Sequence, residues 1–319
     1  MAEKAYKYRI YPNKKQKELI AKTFGCTRFV YNYYLNKRKE MYENDKITFT
    51  YNMCSKDLTQ LKKELEWLKE PDKDSLQKCL KELDMAYQKF FKEHTGYPKF
   101  RSKKNRYQSY RTSCTNNNIR FENKKIKLPK LGLVKTRDKQ IPQGRILNAT
   151  ISQEPNGHYY CSICCTDVEL EQLPKTNRNI GLDLGLVDFA ILSDGIKIDN
   201  PQFFEKSEQK LAKLQRELSR KTIGSNRWNK VRIKVANLQK HISNQRNDFL
   251  QKLTTEIVRT YDVIAIEDLD VKAMKETDST IRNKRVGDVS LSDFRRMLTY
   301  KTQWYGKELS VIDRYYPSS

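Results

Sequence analysis

Asn179–Gly185 reads NIGLDLG, a short apolar run carrying a single acid, and the rest of the chain is read outward from it. QLPKTNR precedes it, and a second apolar run, VDFAIL, follows and closes at Ser193-Asp194-Gly195. Two apolar runs separated by a Gly-containing turn predict a β-hairpin or two adjacent strands. Asp183 then projects from a strand that otherwise reads as buried. A carboxylate in that setting is costly unless something cationic sits on it.

Tyr261–Leu269, YDVIAIEDL, repeats the pattern: a β-branched strand ending in Glu267-Asp268. An RNase H-like sheet builds a divalent-metal site in this way, with acids from different strands converging on one face. Two ions there, about 4 Å apart, activate a water and stabilise the leaving oxygen of a phosphodiester. The plainer alternative is that Asp183 caps a turn and Glu267 pairs with a surface lysine.

The 319 residues suffice for two domains, or one with an insertion. Lysine and arginine number 63 against 39 acids, a net charge of +24. That excess points to a polyanion partner, because each phosphate neutralised releases counterions, and away from a small-molecule substrate. No apolar run is long enough to span a membrane, and MAEKAYKYRI lacks the apolar core of a signal peptide. Seven scattered cysteines read as reduced thiols of a cytoplasmic protein. Residues 1–178 carry 38 basic and 20 acidic side chains, and residues 179–319 carry 25 and 19. The first part reads as a grip and the second as machinery.

KAYKYRIY (4–11) alternates like a strand and ends at Pro12-Asn13. Helices are expected over Lys14–Tyr42, Met53–Leu68 and Asp72–Phe91, with Leu76, Leu80, Leu83, Tyr87, Phe90 and Phe91 forming a core stripe of the last. Residues 97–145 hold 15 Lys or Arg and only Glu122 and Asp138 against them. YPKFRSKKNRYQSYR interleaves aromatic rings with Lys99, Arg101, Lys103, Lys104, Arg106 and Arg111, so cations can meet phosphates while rings stack on bases. Short strands with Asn and Gly turns then suggest a small β-barrel up to Cys165. Cys161 and Cys164 make one CxxC spacing, half of a tetrahedral zinc set, so zinc is not expected. Residues 203–260 read as two helices broken near Ile223–Asn226, and 291–306 and 308–313 as a last helix and strand.

Taken jointly, YRIYPNKKQKELIAKTFGCTRFVYNYYL, YPKFRSKK, SYRTSCTNNNI, LPKLGLVKT, GLDLGLVDFAILSDG, QRNDFLQKLTT, IAIEDL and YKTQWYGKELSVIDRYYPSS resemble TnpB, the transposon-encoded RNA-guided nuclease family related to type V CRISPR effectors. The resemblance implies an α+β multidomain chain. A β-barrel wedge domain (1–12 and 97–177) is interrupted by a helical recognition domain (13–96) and followed by a RuvC domain of RNase H fold (178–319). It implies a guide RNA and double-stranded DNA as partners, in the bacterial cytoplasm. Asp183 and Glu267 match the first two RuvC acids, which hold Mg²⁺. Tyr51, Ser55, Lys73, Gln77 and Thr115 match positions facing the DNA motif beside the target, with Asp74 where a larger apolar residue is expected.

In the family a zinc ribbon and a third RuvC acid follow the PSS that ends this sequence. The expectation is therefore an RNA-guided DNA-binding protein with an incomplete nuclease site, acting by occupancy. The alternative is an active endonuclease whose zinc ribbon and third acid come from a separate polypeptide or lie in sequence missing from this chain. A DNA-joining transposase is the third reading, and the sequence offers it no tyrosine nucleophile with a paired-histidine motif.

Overall fold

The computed structural model describes residues 2–270 and 286–313, so the last six residues of the final TnpB-like stretch lie outside the described residues. The chain divides into two compact units, Met1–Glu169 and Leu170–Ser319.

The first unit is built on β1 (Ala2–Tyr11), whose Tyr6, Tyr8 and Ile10 are buried while Lys7 and Arg9 stay exposed. This strand lies inside a seven-stranded sheet with β2 (Gln108–Ser113), β3 (Arg120–Glu122), β4 (Lys125–Leu128), β5 (Gly132–Thr136), β6 (Arg145–Gln153) and β7 (Tyr159–Val168). The order is β2-β6-β7-β1-β5-β4-β3, and every pairing is antiparallel. The sheet is not closed, which corrects the barrel expected from sequence. Its two ends, β2 and β3, are joined by a turn with Asn116 and Asn117 in the left-handed region and do not pair. β2 bonds a helix instead, as Thr112 Oγ1 donates to Asp72 at 2.6 Å and the Ser113 N–H donates to Asp74.

Three helices lie in the chain between β1 and β2: α1 (Lys14–Asp45), α2 (Tyr51–Glu64) and α3 (Lys73–Lys92). Asn13 and Gln16 form a reciprocal capping box that starts α1, and Thr50 caps α2. Val30, Tyr34, Leu35, Leu58, Leu76, Leu80 and Leu83 fill their shared core. The α3 stripe leaves that core at its C-terminal end. Tyr87, half-buried, still packs on that core, whereas Phe91 is 68 % exposed, so the expected core role fails at Phe91, which projects from the final turn into solvent.

The second unit holds a five-stranded sheet, β8 (Asn179–Leu184), β9 (Asp188–Leu192), β10 (Lys197–Asp199), β11 (Val263–Glu267) and β12 (Glu308–Ile312), in the order β10-β9-β8-β11-β12. The first three strands run antiparallel, β11 is parallel to β8, and β12 is parallel to β11, the mixed pattern expected of an RNase H-like sheet. Parallel neighbours need helical crossovers. α4 (Phe203–Ser219) and α5 (Asn226–Thr260) supply the first, and α6 (Leu291–Tyr305) the second. Ile180, Leu182, Leu184, Ile264 and Ile266 face Leu250, Leu253, Ile257, Phe294, Met297 and Leu298 in one core.

Candidate metal centre and nucleic-acid interface

In the second unit, β8 and β11 pair Ile180 with Ile264, Gly181 with Ala265 and Leu182 with Ile266. Asp183 and Glu267 are the next residue on each strand. Because side chains alternate, both carboxylates lie on the sheet face opposite the core, on strands about 4.8 Å apart. Asp183 also opposes Ile191, which opposes Lys197, and Glu267 opposes Ile312. The pairings on either side therefore read Lys197, Ile191, Asp183 across β10, β9 and β8, and Glu267, Ile312 across β11 and β12.

Asp183 is exposed and Glu267 half-buried. The expectation that Asp183 sits in a buried strand is corrected. Only Ile180, Leu182 and Leu184 are buried, and the face bearing the acid is open among the described residues, so its desolvation cost is not incurred. Two residues back on the same face the side chains are small, with Gly181 next to Ala265 and Ala265 next to Ser310. Just beyond the acid, Gly185 forms the hairpin turn. A Cβ there would lie 2.7 Å from the Asp188 carbonyl oxygen, so the turn requires glycine. Asp268 bonds Arg295 on α6. Among the described residues no group of three His, Cys, Asp or Glu is set to hold a metal ion. Two carboxylates on neighbouring strands nonetheless suit an oxygen-seeking divalent cation such as Mg²⁺.

In the first unit, three of the residues matched to DNA-facing positions meet. The Gln77 side-chain oxygen accepts from Tyr51 Oη and from Ser55 Oγ, each at 3.1 Å, and Lys81 lies 5.6 Å from the Tyr51 ring. Lys73, exposed, opens α3 one turn earlier. Thr115, also exposed, follows β2 in the turn where its N–H donates to Asn118. The bonds from β2 to Asp72 and Asp74 hold that turn's strand against the start of α3. Asp74, expected to alter motif reading, therefore spends its carboxylate on the Ser113 backbone.

The basic stretch divides in two. Lys99, Lys103, Lys104 and Arg111 are exposed. Arg101 is committed inside the unit: its guanidinium lies 3.9 Å from the Tyr31 ring centroid and bonds Glu82 at 2.8 Å. The sequence carried no signal for this, since Tyr31 and Glu82 are remote along the chain. Cys161 and Cys164 stand three apart on a strand and so point to opposite faces. Cys161 is buried, and burial pushes its thiol up to about 12.

A family model described as "Probable transposase" of the IS605 OrfB type matches residues 162–278, and a companion model described as a helix-turn-helix domain matches residues 1–46. The chain is 35 % identical over 322 residues to a "Putative RNA-guided DNA endonuclease" of Streptomyces pristinaespiralis, covering 99 % of this chain and 79 % of that one. It belongs to the TnpB family. A second TnpB relative, "Putative RNA-guided DNA endonuclease InsQ" of Escherichia coli K12, is 32 % identical over 98 % of this chain and 81 % of its own. In this TnpB protein the segment matched as helix-turn-helix is one strand followed by one unbroken 32-residue helix. The cryo-EM structure of a Cas12f1–sgRNA–target DNA complex aligns with a TM-score of 0.51 and 8 % identity, over 98 % of this chain and 89 % of that one, a likeness of fold.

Proposed function

We propose that the chain is an RNA-guided DNA-binding protein with a RuvC-type metal centre at Asp183 and Glu267. The observation that carries this is the placement of the acids: two carboxylates far apart in sequence each follow the last paired residues of adjacent strands, on the open face of an RNase H-like sheet, in a chain whose relatives are named RNA-guided DNA endonucleases. In this reading the seven-stranded sheet is the wedge domain (1–12 and 97–177), α1–α3 the inserted recognition domain (13–96), and residues 178–319 the RuvC domain. Guide RNA lies along Lys99, Lys103, Lys104 and Arg111. The duplex beside the target is read at Tyr51, Ser55, Lys73, Gln77 and Thr115. With the Gln77 oxygen held by two hydroxyls, its NH₂ is the donor end offered to a base edge.

Magnesium bound between the two acids would polarise a phosphodiester and lower the pKa of a coordinated water. Asp183 and Glu267 would fix its position, and the small residues two positions back on the same face, Gly181, Ala265 and Ser310, would let a sugar-phosphate backbone approach the sheet. Two-metal hydrolysis needs carboxylates on both sides of the ion pair, and a misplacement of about 1 Å costs roughly 10²-fold. Asp183 and Glu267 would supply one side of such a pair.

The test uses the whole chain loaded with RNA from its transposon end, matched and mismatched plasmid, and Mg²⁺. Guide-dependent binding that survives Asp183→Ala, with Mg²⁺-dependent cleavage that does not, is expected. Binding indifferent to guide sequence would remove the RNA-guided reading. Rapid linearisation abolished by Asp183→Ala would mean that another acid of the chain completes the centre.

A further inference from the structure

Tyr87, Phe90, Phe91 and Tyr97 close a ring of aromatic contacts at the end of α3. Centroids lie 5.7 Å apart for Tyr87–Tyr97, 6.4 Å for the stacked Tyr87–Phe91, 5.0 Å for Phe90–Phe91 and 5.4 Å for Phe90–Tyr97. The cluster is anchored from below. Tyr87 packs on the helical core, and the Arg38 guanidinium, ion-paired to Asp84 at 2.9 Å, lies 5.1 Å from its ring. The Tyr87 and Tyr97 hydroxyls share a 2.9 Å hydrogen bond. His94, in the left-handed region, turns the chain so that Tyr97 comes back onto the helix. The top of the cluster is open: Phe91 is 68 % and Tyr97 43 % exposed, and Phe100 and Tyr107 further along are exposed too.

Rigidly held aromatic rings facing water invite a flat apolar partner. Charge identifies it. Residues 85–107 contain seven Lys or Arg and a single acid, Glu93, and Lys89, Lys92 and Lys99 flank the rings on the exposed surface. A surface of one sign suits phosphates and repels a second copy of the same patch. The bases of a duplex have their faces occupied by stacking, whereas loops and single strands of RNA splay theirs out. The platform also runs directly into Lys99, Lys103 and Lys104.

We propose that this cluster is a stacking platform for unpaired bases of RNA, with Phe91 and Tyr97 offering ring faces and Lys89, Lys92 and Lys99 meeting the adjoining phosphates. The proposal rests on the RNA-binding reading above and adds to it a site for single-stranded nucleotides. Base–aromatic stacking depends on π-faces and tolerates any sequence. It involves no counterion release, so it leaves the salt dependence untouched.

The experiment titrates the full chain and its Phe91→Ala, Phe91→Leu and Phe91→Trp variants against a fluorescein-labelled uridine decamer over a range of salt. A fully paired RNA hairpin and a thymidine decamer are run alongside, with oligomeric state followed by light scattering. Phe91→Ala and Phe91→Leu should each bind the uridine decamer on the order of tenfold more weakly at an unchanged salt slope. Phe91→Trp should bind like the wild type, and the paired hairpin should not distinguish the four proteins. Wild-type affinity in Phe91→Leu would overturn the platform alone, as would equal losses on the hairpin or tighter binding of the DNA decamer than of the RNA. A change of oligomeric state with RNA affinity intact would assign the patch to a second copy instead. Failure of the wild type to bind any RNA would overturn the RNA-guided reading along with the platform.

Discussion

Arg101 holds three parts of the first unit together. Its guanidinium covers Tyr31 on α1 and bonds Glu82 on α3, while its backbone N–H donates to Asn32 at 2.8 Å and its carbonyl accepts from Asn32 at 2.9 Å. Arg101→Ala would strip Glu82 and Tyr31 of their cation, a loss of about 1–3 kcal/mol. The expected result is a thermal midpoint lower by roughly 3–8 °C with the salt slope of RNA binding unchanged. Melting curves and salt titrations check it, and normal melting with a flattened slope would return Arg101 to the phosphate contacts. Arg101→Lys should rescue poorly, because an ammonium cannot lie flat on a ring and bond a carboxylate at once. Composition alone could not tell Arg101 from Lys103. Both read as cations in a run of cations, and what separates them is a pairing with residues on distant parts of the chain.

Among the elements, the start of β11 and the turn before β12 share a clasp. Asp262 accepts from the Thr176 N–H at 2.9 Å, the Asn177 N–H at 2.7 Å and the Lys307 ammonium, and Lys307 also donates to the Pro174 carbonyl at 2.7 Å. The Lys307 bond leads these effects in holding the Asp262 carboxyl down to about 2, from its ordinary 3.8. The folded chain therefore binds this proton more weakly than the unfolded chain does. The clasp's contribution is complete above about pH 4 and disappears as pH falls through 2. Asp262→Asn should be less stable than the wild type at neutral pH and show a smaller further loss on acidification through that window. Denaturant melts of both proteins across the range check this, and parallel pH profiles would refute it. The elements themselves were legible. The NIGLDLG and VDFAIL runs are a hairpin, the YDVIAIEDL run is a strand beside it, and the helix break near Gly224 falls between α4 and α5. Which faces are covered was not. Periodicity at Leu83, Tyr87 and Phe91 is the same whether a neighbour packs there or water does, and a Gly-Leu-Asp-Leu alternation fits a one-sided strand as well as a buried one.

On the scale of the molecule, the charge is concentrated in residues 1–178, at net +18 against +6 for the remainder. If Lys99, Lys103 and Lys104 each neutralise one phosphate, replacing all three with alanine should reduce the log–log salt slope of guide-RNA binding by about 2. An unchanged slope would move the RNA path elsewhere on the unit. The Phe91 variants form the natural contrast, since they weaken binding without touching the slope. The two compact units, Met1–Glu169 and Leu170–Ser319, divide the chain a few residues before position 178, where the charge density changes. The open sheet was not legible in the sequence. Short strands with regular turns look alike in open and closed sheets, and the deciding contact, β2 against α3, joins residues some forty positions apart.

Because β1 lies inside its sheet, it is translated long before the strands that flank it. It pairs with β7 from Ile10 opposite Tyr159 to Ala2 opposite Val168, and with β5 where Ile10 opposes Thr136 and Tyr11 opposes Lys135. At about 5–20 residues per second, β1 waits on the order of ten seconds for β5, and longer for β7, with both edges unpaired. The α1–α3 core needs only local contacts and can form meanwhile. An unpaired strand is a template for wrong partners, and Lys4, Lys7 and Arg9 place positive charge along this one where it would otherwise associate with another nascent chain. Replacing those cations with neutral residues should therefore lower the soluble yield during synthesis even where the finished fold tolerates the change. Comparing soluble fractions after synthesis with melting curves of the purified proteins checks this, and equal yields would leave the strand's charge to its partners in the folded state.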